Sequence, residues 1–391
     1  MKIQLVTNDN TALVQEFLQL PVRLYKNEPK WIRPLDKDIE AVFNPKTNKY
    51  FAHGSCVRWI LQDDKGQTIG RVAAFVDKRA ANKNNEQPTG GMGFFECIND
   101  KAAAYLLFDT CKQWLVEQGM EAMDGPINFG DRDKWWGLLV DGFEEPNYCM
   151  PYNHLYYKGL FEAYGFQDYF QQFTFRRVIA EAAPEKMKEK AQRIMDNPDY
   201  TFDYLHRNNM EKYAEDFRII YNKAWAKHAG VREMPKAQAM NIMKQIKPIL
   251  DEKLILFIYF QGQPVAFFIM LPEMNQVFKH FNGHFNQKNP LHLLKFLWYK
   301  RKVDKVFGVA FGVAPEQQGK GVESALMEYY RRFAHVPNYR YKTLEMNWIG
   351  DFNPKMVKVV KDIDSHVYKT HITYRKLFDE NKPFSRCPAI R

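Results

Sequence analysis

The sequence predicts two successive α/β domains built to one plan. Three observations carry this. The order strand, helix, hairpin, strand, helix, strand, helix, strand runs through residues 1–180 and restarts near Thr201. A charged, alanine-rich stretch, Ala180 to Pro198, lies between the two runs and reads as a linker helix. A chain of 391 residues is too long for one ordinary core, and its 46% apolar residues supply material for two.

The elements follow in order. IQLVTN (3–8) alternates as a short strand. Thr11 to Tyr25 puts Leu13, Val14, Phe17, Leu18 and Val22 on one helical face. A proline- and tryptophan-bearing stretch follows, NEPKWIRPLDKD. Residues 55–77 alternate on both sides of Asp64-Lys65-Gly66, as a hairpin does. A polar loop (81–91) leads to the strand GFFECI. Asp100 caps a helix from Lys101 to Gln118, closed by Gly119. AMDGPIN (122–128) is a strand, YYKGLFEAYGF a short helix closed by Gly165, and FQQFTFRRVI a last strand. After the linker come the strand TFDYLH, helices Asn209–Lys227 and Lys236–Leu250, and a hairpin around Gln261-Gly262-Gln263. The strand KVFGVAFGV, the helix Gly321–His335, the strand TLEMNWIG, the helix Pro354–Lys361 and the strand HVYKTHITYRKLF complete the chain.

Fifty-six Lys and Arg against 46 Asp and Glu give a net charge of +10, which favours anionic partners without choosing among them. Five scattered cysteines, with no CxxC pair, read as reduced thiols. No apolar run is long enough for a transmembrane segment, and the start lacks a signal-peptide block. The expected location is the cytoplasm.

The most specific feature is FGVAPEQQGKGVESALMEYY. A strand ending at Val313 passes through Gln318-Gly319-Lys320-Gly321 directly into a helix at Val322. Glycines let successive N–H groups turn inward, and the helix start adds partial positive charge. Such a turn can cradle a pyrophosphate, with Lys320 adding a full charge. The alternative is a plain strand–helix turn.

These residues resemble the GNAT acyltransferase superfamily, whose signature is Gln or Arg, two residues, Gly, one residue, then Gly or Ala, usually after V-x-P. Val313-Ala314-Pro315 and Gln318-Gly319-Lys320-Gly321-Val322 match it, and Glu323 departs from it. The resemblance implies two domains, each a mixed, mostly antiparallel sheet flanked by helices. It implies acetyl-CoA or another acyl-CoA held at Val313 and Gln318 to Val322. Glu323, where Gly or Ala is usual, is expected to face solvent; facing the cofactor, it would repel it. Asn353 opens the family's later helix motif, but Val360 stands where the family often has a tyrosine that protonates the departing thiol. The first half carries a better version of that motif in YYKGLFEAYGF but no glycine loop: Asn99-Asp100 leads from strand to helix. The expected division is a degenerate GNAT-like domain at 1–180, a linker at 181–198 and a cofactor-binding domain at 199–391. FLQLPVRLYKNEPKW, GFFECIND, MDGPIN and YNKAW extend the resemblance to bacterial tandem GNAT-like proteins.

Acyl transfer to an amine needs a base, an oxyanion donor and an acid for the thiolate. Glu345 and Asn347 share one face of their strand by period-two spacing. Glu345 is the candidate base, its alternative being a solvated strand-end carboxylate. Tyr368 and Tyr374 are candidate acids, or packed aromatics. His280 and His284 are spaced as metal ligands on a helix, but Phe281-Asn282-Gly283 opposes a helix there and no third ligand is evident. Trp135-Trp136 sits where an interdomain pocket could lie. The segment 290–305, PLHLLKFLWYKRKVDK, is a basic amphipathic insertion. It reads as a dock for an acyl carrier protein or a membrane surface, or as a helix packed on the sheet.

Function thus reads as an N-acyltransferase using acyl-CoA or an acyl carrier protein. The alternatives are an inactive ligand-binding relative and an aminoacyl-tRNA-dependent transferase. The last lacks the alternating basic and aromatic residues of an RNA-binding strand, so nucleic acid is not the expected partner.

Overall fold

In the computed structural model, residues 1–83, 85–225 and 233–390 are described. The amino-terminal half contains β1 (Lys2–Leu5), α1 (Thr11–Leu24), α2 (Asp36–Phe43), β2 (Gly54–Gln62), β3 (Thr68–Asp77), β4 (Thr89–Cys97) and α3 (Lys101–Glu117). It continues with β5 (Ala122–Gly125), β6 (Leu138–Asp141), α4 (Tyr156–Tyr164) and β7 (Gln167–Val178). A linking helix, α5 (Glu185–Met195), follows. The carboxy-terminal half holds β8 (Tyr200–Tyr204), α6 (Met210–Trp225), α7 (Lys236–Ile246), β9 (Ile255–Phe260), β10 (Gln263–Pro272), α8 (Asn275–Phe278) and α9 (Pro290–Lys300). It ends with β11 (Lys305–Val313), α10 (Val322–Ala334), β12 (Thr343–Gly350), α11 (Pro354–Asp362) and β13 (His366–Leu377).

The expected mixed sheets are present, fused into one. The strand order is β1-β2-β3-β4-β5-β13-β7-β12-β11-β10-β9-β8, with β6 also paired to β13. Within each half only the β4–β5 and β11–β12 pairs are parallel. The order is nearly palindromic, with one exchange at its centre. The last strand of the first half, β7, pairs with β12 of the second. The last strand of the second half, β13, pairs with β5 of the first. Each half therefore completes its sheet with the other's terminal strand, and the two sheets become continuous through β7–β13. The order of elements restarts at β8, after the linking helix, while the hydrogen bonding runs across that point.

Helices cover both faces. In the first half, Leu107, Phe108 and Cys111 of α3 pack with Tyr157 and Phe161 of α4, and with Ile372 and Tyr374 from the exchanged β13. On the other face Phe17 of α1 packs with Val42 and Phe43 of α2. In the second half Ala325 and Leu326 of α10 join Ala191 of α5 over Leu256 and Met270. Phe217 and Met243 of α6 and α7 cover the reverse face.

Local differences from the sequence reading have identifiable causes. The strand expected over 122–128 stops at Gly125, because Pro126 has no N–H to continue a ladder. The linker is helical only from Glu185 to Met195, after Pro184. The helix expected to begin at Asn209 starts at Met210, and its expected end at Lys227 lies outside the described residues. The short elements α2, β6 and α8 carry too few periodic residues to announce themselves.

Candidate active site

β11 and β12 run together only from Lys305–Thr343 to Gly308–Met346. Beyond that pair they part. β11 stays with β10 as far as Val313, and β12 follows β7 to Gly350. A bulge in the register of β10 between Ile269 and Met270 leaves Val309 outside the ladder. The side of β11 that faces β12 is therefore without a strand partner over Val309 to Val313. This opening leads to the glycine turn.

At the turn, Gln318 Nε2 donates to the Val313 carbonyl at 3.0 Å and draws the loop onto the end of β11. Gly319 and Gly321 have φ of +74° and +104°, values that favour glycine. A Cβ on Gly319 would meet nothing within 4 Å, whereas one on Gly321 would come within 3.0 Å of the Lys190 carbonyl on α5. The first helical residue is Val322, and no side chain caps the helix from Gly321. Open space and a helix start without a side-chain cap thus coincide, as an anion such as a CoA pyrophosphate requires. The residues present fit that group. One feature corrects the sequence reading: Glu323 does not face away. It is half-buried, lines the cavity, and its Oε1 lies 3.4 Å from the Gly319 N–H.

The turn opens on a cavity of about 1930 Å³ lined by both halves. Phe311, Gly312, Val313, Gln318, Gly319, Gly321 and Glu323 line it from the second half, together with Lys190, Lys355 and Lys358. Phe75, Phe129, Trp136 and Phe170 form an aromatic wall opposite, and Asp124, Tyr169 and Arg375 a polar one. Asn128 Oδ1 and Trp136 Nε1, both on residues lining the cavity, are buried without a hydrogen-bond partner among the described residues. Buried orphans of this kind are what a bound polar group would satisfy. Trp135 packs on Phe94 instead, at 5.6 Å between centroids.

Glu345, Asn347 and Tyr368 do come together, but around a different feature. Glu345 is fully buried. It accepts from Asn147 Nδ2 at 2.7 Å and from Arg176, and lies 3.1 Å from Lys305 Nζ and 3.8 Å from Lys369 Nζ. Burial pushes its carboxyl up, but Lys369, Lys305 and Arg176 outweigh this and hold it at about 2. Burial pushes Lys369 down to about 8. A carboxylate so occupied and so acidic suits a charge anchor; it fits neither a general base nor the solvated strand end weighed above. Tyr368 lies under the Arg176 guanidinium, 3.3 Å from carbon to ring centroid, with burial raising its phenol. Tyr374 sits in the first half's core and donates to Glu162 at 3.1 Å. Asn347 is one residue past the parting of β11 and β12. Its Oδ1 accepts from Asn147 at 2.9 Å, and its buried Nδ2 has no partner. The neighbouring carboxylate sets these amide orientations, because Asn147 must present Nδ2 to Glu345.

Other candidates resolve simply. His280 stacks on Tyr299 at 3.6 Å and His284 pairs with Asp36 at 3.4 Å. The described residues include no group of three or more His, Cys, Asp or Glu able to hold a metal. Val360 is buried in the core at the motif-tyrosine position. Arg176, Lys305, Lys369 and Asn147 escaped the sequence reading because no local motif joins them: three lie on separate strands and one in a loop. Asp124, Arg375 and Tyr169 escaped it for the same reason.

The fold is that of the tandem GNAT proteins, two acyltransferase-like units in one chain. The chain is similar to bacterial ceramide synthase of Caulobacter vibrioides, with 25% identity over 376 residues, 93% of this chain and 95% of that protein. It is also similar to protein YghO of Escherichia coli, 25% identical over 388 residues, 93% of this chain and 92% of that one. No family model matches. Among solved structures, a tandem GNAT protein from the clavulanic acid biosynthesis pathway superposes with a TM-score of 0.55 at 9% identity, covering 97% of this chain and 99% of that one. A GCN5-related N-acetyltransferase from Sphaerobacter thermophilus gives 0.50 at 9% identity, covering 99% and 98%. At such identities the structural likeness is one of fold. No helix among the described residues is long and apolar enough to cross a membrane.

Proposed function

We propose that this protein is an N-acyltransferase that takes an acyl group from a CoA thioester at Gln318–Val322 and delivers it to a long-chain amine in the cavity between the halves. The observation that carries the reading is the glycine turn opening directly onto that cavity. The likeness to a ceramide synthase supports a long-chain amine, since a ceramide is an N-acylated long-chain base. The aromatic wall suits an alkyl chain, and the orphaned Asn128 and Trp136 atoms suit its polar end.

When bound, the thioester supplies the activated acyl carbonyl. The chain's own contribution is to seat the anion at the turn, to leave the Val309–Val313 edge unpaired beside the acyl arm, and to exclude water with the aromatic wall. Incubation with acyl-CoA and either a sphingoid base or a short amine, read by mass spectrometry, tests the reaction. The expected product is the N-acylated long-chain base. Transfer to the short amine alone would overturn the acceptor class; binding of CoA with no transfer to any amine would overturn the reaction.

A second reading is a ligand-binding relative without catalysis. Glu323 supports it, because its carboxylate already occupies the Gly319 N–H. It predicts CoA binding without transfer to any amine, in the wild type and in Glu323→Ala alike.

A further inference from the structure

We propose that α9 and its flanks dock this protein on an anionic phospholipid surface. α9 is inserted between β10 and β11; the matching β3–β4 connection of the first half, where described, carries no helix. Only one side of α9 is used for packing. Phe296 is buried against Phe278 and Phe285, and Tyr299 stacks on His280.

The other side is apolar and uncovered. Leu291, Leu293, Leu294, Leu297 and Trp298 are 73, 44, 65, 45 and 58% exposed. At about 100° per residue they form one continuous arc of roughly 160°. Scattered exposed leucines need no explanation, but five large apolar side chains on one short helix form a patch that calls for a partner.

The charge around the arc identifies that partner. Lys288, Lys295, Lys300, Arg301 and Lys302 surround it, and none of them makes a salt bridge among the described residues. Lys295 and Lys300 donate to the backbone carbonyls of His280 and Pro248, which leaves their charges unneutralised. Lys302 lies 4.7 Å from the Trp298 ring centroid. A second copy of this chain would oppose the same cations to one another. A phospholipid surface accepts both features: the Leu and Trp side chains enter the headgroup–acyl boundary, and the cations meet phosphates. This inference stands without the transferase reading.

The full-length protein should co-sediment with vesicles of phosphatidylglycerol and phosphatidylcholine more strongly than with phosphatidylcholine alone, and less at high salt. Leu294→Glu should lower that partition by about tenfold or more, with the thermal transition little changed because the side chain is 65% exposed. Trp298→Phe should keep binding but lose most of the tryptophan quenching by brominated lipid. Absence of binding to the anionic vesicles would overturn the proposal, as would equal binding by Leu294→Glu. It would also fall if light scattering showed a dimer that Leu294→Glu dissociates, or if an acyl carrier protein bound wild type but not Leu294→Glu while vesicles did not discriminate.

Discussion

The two halves meet the same backbone problem at the turn from strand into helix, and they meet it with different residues. After β4, Asp100 accepts from the Ala103 N–H at 2.8 Å and satisfies the helix start with the chain's own carboxylate. After β11, Gly319 and Gly321 turn the backbone inward and no side chain caps α10. One helix end is closed and the other open to an anion.

A second pair of sites reverses the pattern. The strand exchange places Asp124 of β5 opposite Arg375 of β13, and Glu345 of β12 opposite Arg176 of β7. Each arginine lies on a tyrosine of the other exchanged strand: Arg375 on Tyr169 at 3.6 Å, Arg176 on Tyr368 at 3.3 Å. The first-half triad lines the cavity, whereas in the second half Lys305 and Lys369 close over Glu345. The half with the open helix end has the closed triad, and the half with the closed helix end has the open one. The two halves thus line the cavity differently, one with an uncapped glycine turn and the other with a polar wall.

The sharpest way to break this comparison is at the triads. Glu345→Gln should cost about 3–5 kcal/mol in urea unfolding, because it strands buried cations. Asp124→Asn, at the cavity edge, should cost less than half of that; equal losses would remove the distinction. The pH dependence follows the same carboxylate. Its folded value lies below its ordinary 4.5, so its stabilisation is complete above about pH 5 and is lost as the pH falls towards 2. That acid limb should be missing in Glu345→Gln.

The glycine turn comes next. Gly319→Val meets no atom within 4 Å but is forced to hold a left-handed φ, so the protein should fold with CoA affinity lowered about a hundredfold, near 2.7 kcal/mol. Calorimetric titration of the folded variant with unchanged affinity would separate the turn from the cofactor. A smaller effect is expected at Glu323→Ala, which frees the Gly319 N–H and removes a like charge. CoA should bind about tenfold tighter, with the gain shrinking at high salt. The smallest effect is at the first-half cap: Asp100→Ala should cost about 1 kcal/mol of stability and leave CoA binding as it was. All of these measurements need the full chain, since a piece ending near residue 180 lacks β13 and leaves β5 without its neighbour.

Much of this was legible in the residues themselves. The repeated order of elements, the Asp100 cap, the Gln318–Val322 turn and the basic amphipathic segment before Lys305 are local features. Each depends on residues within a few positions of one another, where periodicity, turn chemistry and capping act. The first-half loss of the glycine loop was legible for the same reason. What required the tertiary structure was every feature whose partners lie on different strands. No pattern in β7 or β13 distinguishes pairing with its own half from exchange, because either arrangement buries the same alternating faces. Glu345 reads as a candidate base until Arg176, Lys305 and Lys369 arrive from three other strands, and their summed field makes it an anchor. Glu323 could not be oriented from sequence because its direction depends on the space left by the turn. The sequence by itself determined the fold class, the glycine turn before α10 and its absence from the first half. The tertiary structure decided the exchange, the division of the cavity and the meaning of the buried charges, since those depend on long-range contacts that no short window contains.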